Sequence, residues 1–362
     1  MKETSAILDK ALQDMPLKQQ EILHLLQLTD SEQRERLFAA ARIQRQRQFA
    51  NKVFLYGFVY FSTYCRNECT FCFYRKSNGE PVRYRKSTQE IVKIACALAE
   101  AGVHLIDLTM GEDPQFLANN GLGNEQLIEI VRLVKQQTGL PVMISPGVVS
   151  NDMLVKLKQA GANWYACYQE THNRQLFNSL RLNQCYDKRW NSKAFAKTIG
   201  MLVEEGLLVG VGDCAQDTAH SLVKMRELGA AQIRTMSFVP QRGTPLYNTA
   251  IPDNCREINI IAVMRLLFPN KLIPASLDVE GVGGLKERLD AGANVVTSII
   301  PPQSGLMGVS QSTLDISEGY RTVAGVTPIL AESGLVAATL AEYVDWMENQ
   351  LGGHVKGEAV CR

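Results

Sequence analysis

"STQEIVKIACALAEAGVHLIDLTM" (residues 87–110) shows in one line how the chain is built. Its first part, 87–102, sets apolar residues at helical spacing and stops at Gly102. Its second part, "HLIDLTM" (104–110), is a short apolar run of strand length. Outward from this stretch the same unit recurs. Apolar runs stand at 53–62, 104–110, 141–145, 163–169, 207–212, 232–238, 272–278 and 294–299, with helical segments between them. Gly102, Gly139, Gly161, Gly206, Gly229 and Gly292 each precede such a run, as a left-handed helix stop would. Strand–helix alternation predicts a parallel sheet with right-handed crossovers. Eight units of roughly 30 residues predict a (β/α)8 barrel of the TIM type. An open doubly wound sheet is the alternative. "GVGDCA" (210–215) suggests it by fitting G-x-G-x-x-A, but it belongs to the fifth unit, and a tight βα turn is the plainer account.

Residues 3–50 predict two or three amphipathic helices, with Asp30 or Ser31 as an N-cap. The expected layout is an N-terminal helical extension over 1–50, the barrel over 51–350 and a tail over 351–362, in which Cys361 is a free thiol. The 362 residues carry a net charge of +1, so the chain as a whole offers no electrostatic case for nucleic acid or an anionic membrane. No run of about 18 apolar residues is present, so no membrane span is expected. The first residues lack the apolar core of a signal peptide. Nine cysteines without an export signal point to a reducing cytoplasm.

Three of those cysteines fall within eight residues of "YCRNECTFCFYRKSN" (64–78): Cys65, Cys69 and Cys72, spaced C-x3-C-x2-C. They follow the first strand, on the face of a parallel barrel where active sites lie. A structural zinc site closes four ligands, and no fourth is near. Unrelated buried thiols fit poorly in a polar, basic loop. A [4Fe–4S] cluster held by three thiolates, with one iron left open, is the third account.

This motif, with Phe71 before the last cysteine, resembles the signature of the radical S-adenosylmethionine (SAM) superfamily. The resemblance implies a single [4Fe–4S] cluster on Cys65, Cys69 and Cys72, with SAM chelating the open iron. It further implies SAM contacts from Phe71, from Gly111 and Glu112 of "TMGED", from Ser145 toward the ribose, and from Glu170 of "YQET". Arg189, with Arg181 as an alternative, would pair with the SAM carboxylate. Met110 stands where the family has a first glycine. No catalytic side chain beyond cluster and SAM is implied.

The N-terminal helices and "VFLYGFVYFSTYC" resemble the biotin-synthase-like branch. Strands two and three contain no cysteine for a second, sulfur-donating cluster. "DLTMGEDP" (107–114), "MISPGV" (143–148), "YQET" (168–171), "LIPASLDVEG" (272–281) and "NVVTSIIPP" (294–302) look like the 3-methylornithine synthase family of pyrrolysine biosynthesis. That resemblance implies an isomerase acting on L-lysine, a small-molecule substrate, to give (3R)-3-methyl-D-ornithine. The path would run by hydrogen abstraction at C4, fragmentation of the Cα–Cβ bond and recombination. An electron donor such as flavodoxin or ferredoxin is implied as well. Asp113, Arg234, Ser276 and Asp278 match the family's substrate contacts. Arg234 is a charge inside strand six, where it needs a partner; a pair with Asp278 is one alternative. Another biotin-synthase-like enzyme, acting on a different amino acid or a thiol, is the rival function.

Overall fold

The computed structural model describes residues 2–117, 122–251, 253–309 and 320–352; the tail beyond, with Cys361, lies outside them. Eight strands form the barrel: β1 Lys52–Ser62, β2 Leu105–Met110, β3 Val142–Ser145, β4 Ala162–Ala166, β5 Leu202–Val209, β6 Gln232–Ser237, β7 Pro274–Ser276 and β8 Val295–Ile299. They run parallel in the order β6-β5-β4-β3-β2-β1-β8-β7. The ends meet at their N-terminal sides, where the Leu272 amide donates to the Ala231 carbonyl (3.1 Å) and the Ile233 amide to the Leu272 carbonyl (3.0 Å). Because β7 is only three residues long, β6 and β7 part toward their C-terminal ends. The (β/α)8 expectation therefore holds, as a barrel closed at one end of the seam. "GVGDCA" is the tight turn: Asp213 Oδ1 accepts from the Gly210 and Val211 amides at 2.7 and 3.1 Å.

Five of the six expected helix-stop glycines have positive φ: Gly102, Gly139, Gly161, Gly229 and Gly292. Gly206 is the correction. It lies inside β5, and the left-handed stop before that strand is Gly200, with φ 77°. Gly206 is small for another reason, since a Cβ there would meet Tyr168 Cγ at 2.8 Å. β5 also starts five residues earlier than the expected 207. Glu204 and Glu205 made its first half look like helix surface, yet both are fully buried.

Three helices precede the barrel, Lys2–Leu12, Gln19–Leu26 and Ser31–Phe49, the last capped by Asp30 Oδ1 accepting from the Gln33 amide (2.9 Å). They pack beside the helix Asn254–Leu267, where Arg34 Nε donates to Asn259 Oδ1 (2.9 Å) and Asn259 Nδ2 to the Leu28 carbonyl (2.8 Å). The C-terminal part adds what periodicity did not show. A short strand β9, Val336–Ala337, pairs with the start of β1. The helix Leu340–Gly352 then closes the N-terminal end of the barrel. Trp346 stacks on Trp164 (6.0 Å between centroids) and the Tyr343 hydroxyl meets the Tyr56 hydroxyl at 2.7 Å. His104 ties this floor together. Its Nδ1 accepts from the Leu55 amide and its Nε2 donates to the Ala338 carbonyl, both at 2.8 Å.

Candidate active site

A cavity of about 270 Å³ occupies the C-terminal half of the barrel. Each strand end contributes to its wall, as expected for this architecture. Of the residues singled out from sequence, Cys65, Cys69, Phe71, Cys72, Gly111, Glu112, Ser145, Glu170, Arg181, Arg189, Arg234 and Asp278 line it. Ser276 and Asp113 do not.

The three cysteines arrive on the loop that leaves β1. Burial pushes the Cys65 thiol up to about 11. Burial, and then the neighbouring Cys69 and Cys65, push Cys72 further up. Three thiolates crowded away from water are costly unless a cation compensates them. Around Cys69 donors already point at sulfur: Gln184 Nε2 at 3.1 Å and Arg181 Nη1 at 3.5 Å. Gly111 closes against the same loop, since a Cβ would lie 2.3 Å from the Tyr64 carbonyl oxygen and 2.9 Å from Cys65 Cβ. Among the described residues, no three His, Cys, Asp or Glu side chains gather tightly enough for a single metal ion. A cluster offers each thiolate its own iron, so donor set and surroundings fit a cubane better than a zinc ion.

Beside the loop stand two buried ion pairs. Glu112 Oε1 accepts from Arg189 Nη2 (3.0 Å) and from the Val148 amide (3.1 Å), and Glu112 Oε2 lies 3.0 Å from Arg66 Nη2. Burial raises the Glu112 carboxyl, but Arg189, the Val148 amide and Arg66 outweigh it, and the net shift is downward. Glu170, with φ 67°, pairs with Arg181 Nη2 at 2.6 Å; here burial wins and its carboxyl is raised. Arg189 also donates to Cys167 Sγ (2.9 Å) and Gln184 Oε1 (2.7 Å). These groups could meet the charged amino-acid part of a cofactor such as SAM.

Deeper in the barrel lies a second polar group. Arg234 Nε donates to Glu204 Oε1 (2.7 Å), Nη1 donates to Thr297 Oγ1 (3.1 Å), and its guanidinium carbon lies 5.7 Å from the centre of the Tyr168 ring. The alternative pair with Asp278 is overturned, because Asp278 instead takes Arg321 Nη1 (3.1 Å) and Ser298 Oγ (2.6 Å). Asp107 is the residue sequence reasoning missed. Among the described residues it is the cavity-lining carboxylate with no ion pair; it accepts only from Thr109 Oγ1 (2.9 Å) and Ser145 Oγ (3.4 Å). Burial, and then the nearby Glu204, raise it to about 7. Its signal was the one that marked Arg234: a charge within an apolar strand.

Asp113 faces elsewhere. Fully buried, it takes Arg85 in two bonds (2.6 and 2.9 Å), Ser62 Oγ (2.5 Å) and the Gln115 amide (2.9 Å). Arg85 in turn lies 3.8 Å over the Tyr64 ring, next to Cys65. Asp113 therefore buttresses the cysteine loop and does not line the cavity. Ser276 Oγ accepts from the Asp278 amide at 3.3 Å and steadies that carboxylate. Asp113→Asn is expected to lower stability by about 2 kcal/mol, the worth of a hydrogen-bonded buried charge, and to leave ligand affinity in the barrel unchanged. Thermal unfolding alongside ligand titration checks this; weaker binding with unchanged stability would refute it.

Known proteins resemble this chain over most of its length. The radical SAM superfamily matches residues 59–214. A 3-methylornithine synthase of Methanosarcina acetivorans is 44% identical over 92% of this chain and 94% of its own length. One from Methanosarcina barkeri is 43% identical over 94% and 96%. The crystal structure of methylornithine synthase (PylB) superposes with a TM-score of 0.89 at 43% identity, covering 94% of this chain and 99% of that one. No helix among the described residues is long and apolar enough to cross a membrane. The chain belongs to the radical SAM superfamily and, within it, to the 3-methylornithine synthases.

Proposed function

We propose that this chain isomerises L-lysine to (3R)-3-methyl-D-ornithine, the reaction that opens pyrrolysine biosynthesis, as a cytoplasmic enzyme. One observation carries the choice of substrate: a cavity that begins at three cysteines ends at a guanidinium and an unpaired carboxylate on facing strands. A rival acting on a thiol would need no such pair of opposite charges.

Cys65, Cys69 and Cys72 would hold the [4Fe–4S] cluster. Phe71, Gly111, Glu112, Ser145, Glu170, Arg181 and Arg189 would surround SAM. With an electron from a donor such as flavodoxin or ferredoxin, cluster and SAM would together supply the radical chemistry that removes hydrogen from the substrate. The chain's own residues bind, orient and shield. Arg234 meets the lysine carboxylate, because a planar guanidinium matches it in two bonds. Asp107 and Asp278 meet the ammonium groups. Asp278 already carries Arg321, so Asp107 is the carboxylate that gains most from a cation. The aromatic floor under β1–β8 keeps water from the base of the cavity.

The test is anaerobic reconstitution, then incubation with SAM, a reductant and L-lysine. A new amino acid of unchanged mass, separated by chromatography, is expected. SAM cleavage that ignores lysine, with no isomer formed, would overturn the assignment.

A pH dependence follows from Asp107. In the free protein its carboxyl titrates near 7, and an ammonium beside it favours the ionised form. Below that pH, binding lysine must expel a proton. The lysine KM is therefore expected to be flat above pH 8 and to rise, approaching about tenfold per pH unit, well below pH 7. Asp107→Asn should weaken binding throughout and remove this rise. A rise of the same size in the variant would assign it to another group.

A further inference from the structure

Glu204 does not line the cavity, is fully buried, and yet touches two residues that do. Its Oε1 takes Arg234 Nε at 2.7 Å and its Oε2 takes the Tyr168 hydroxyl at 2.7 Å. Alternation along β5 sends Glu204 into the barrel and Glu205 outward, where Glu205 pairs with Lys193 and accepts from the Gln169 amide at 2.7 Å. The adjacent carboxylates thus serve opposite faces of one strand.

An arginine can offer a carboxylate two forks, one from Nε with its neighbouring Nη and one from the two Nη groups. In Arg234 the Nε is taken by Glu204, while Nη2 makes no hydrogen bond among the described residues. Tyr168, held through its hydroxyl by the same Glu204, sets its ring against the guanidinium and removes a second freedom. Gly206 leaves the space that ring needs.

We propose that Glu204 is the positioning residue for carboxylate recognition: it closes the Nε fork of Arg234 and, through Tyr168, fixes the plane in which the Nη fork meets the substrate. This rests on Arg234 being the carboxylate anchor. Glu204 touches no substrate, and its effect is on which ligands are distinguished. A compound with a neutral amide in place of the carboxylate loses what the fork provides, whereas ammonium contacts on other strands are kept.

The experiment compares L-lysine with L-lysinamide, by equilibrium binding to the reconstituted, SAM-loaded protein without reductant. The parent is expected to prefer lysine by about 100-fold, as for a buried guanidinium fork left without its anion. In Glu204→Gln the lysine Kd should rise by about tenfold while the lysinamide Kd moves less than about twofold, shrinking the preference by about tenfold. Glu204→Asp keeps the charge but is one methylene short of spanning both partners. It should shrink the preference less, and it decides the matter if the glutamine variant does not fold. An unchanged preference in a folded variant, whether both ligands weaken or neither does, makes Glu204 a structural residue only. A parent that binds both ligands equally defeats the assignment of Arg234 itself, and this inference with it.

Discussion

Alanine at Cys65, Cys69 or Cys72 is expected to abolish SAM cleavage altogether while leaving the barrel folded. The effect is large because each thiolate would hold one corner of a cluster, and no other side chain among the described residues stands ready to replace it. Among the described residues, the one further cysteine lining the cavity is Cys167, already engaged by Arg189 at 2.9 Å. Folding should survive because the loop's own anchors do not run through sulfur. Asp113, Arg85 and Tyr64 brace its start. Arg83 donates to the Tyr74 and Arg75 carbonyls at 3.0 and 2.7 Å and holds its end. Iron content, the absorbance of the reconstituted protein and 5′-deoxyadenosine formation are the measurements. A variant that forms 5′-deoxyadenosine at near-parent rates would show that the cluster is held elsewhere.

The second large effect is expected at Arg234. Arg234→Met removes the cation and leaves both the substrate carboxylate and Glu204 buried without a countercharge, Glu204 keeping only the Tyr168 hydroxyl. Each uncompensated charge of this kind costs on the order of 3–5 kcal/mol. Burial alone would push the arginine down, but Glu204 and then Tyr168 outweigh it, so Arg234 remains charged and its loss is felt in full. Because the methionine variant also strands Glu204, some of its loss should be in stability. Arg234→Lys separates the two. It keeps a positive partner for Glu204 but cannot offer a fork, so it should stay folded and raise the lysine KM by about tenfold or more. The ratio of lysine-dependent turnover to lysine-independent SAM cleavage reports this directly. If that ratio is unchanged in the lysine variant, Arg234 is a barrel residue and nothing more.

Much of this could be read before any coordinates. Helix–glycine–strand repetition carried the barrel because each crossover needs a stop and each strand a short apolar run. The cysteine loop was legible because its spacing has few other uses. What escaped was chemistry that depends on pairs distant in sequence. Glu204 and Glu205 looked like the surface of a helix, because nothing local shows that Arg234 and Lys193 wait to compensate them. Asp107 and Asp113 sit six residues apart around the same strand end. Only the fold shows that one faces the cavity and the other turns back to Arg85. The floor under the barrel was invisible for a similar reason. Tyr343 and Trp346 sit on an ordinary amphipathic helix, and their partners Tyr56 and Trp164 lie far up the chain.

That floor governs traffic. The base is sealed by stacked aromatics, and the cysteine loop stands at the other end of the cavity. The proposed anchors for lysine sit a storey lower, at mid-strand on β2 and β6. An amino acid held at those anchors would therefore lie beneath whatever the cysteine loop binds, farther from bulk water than the loop itself.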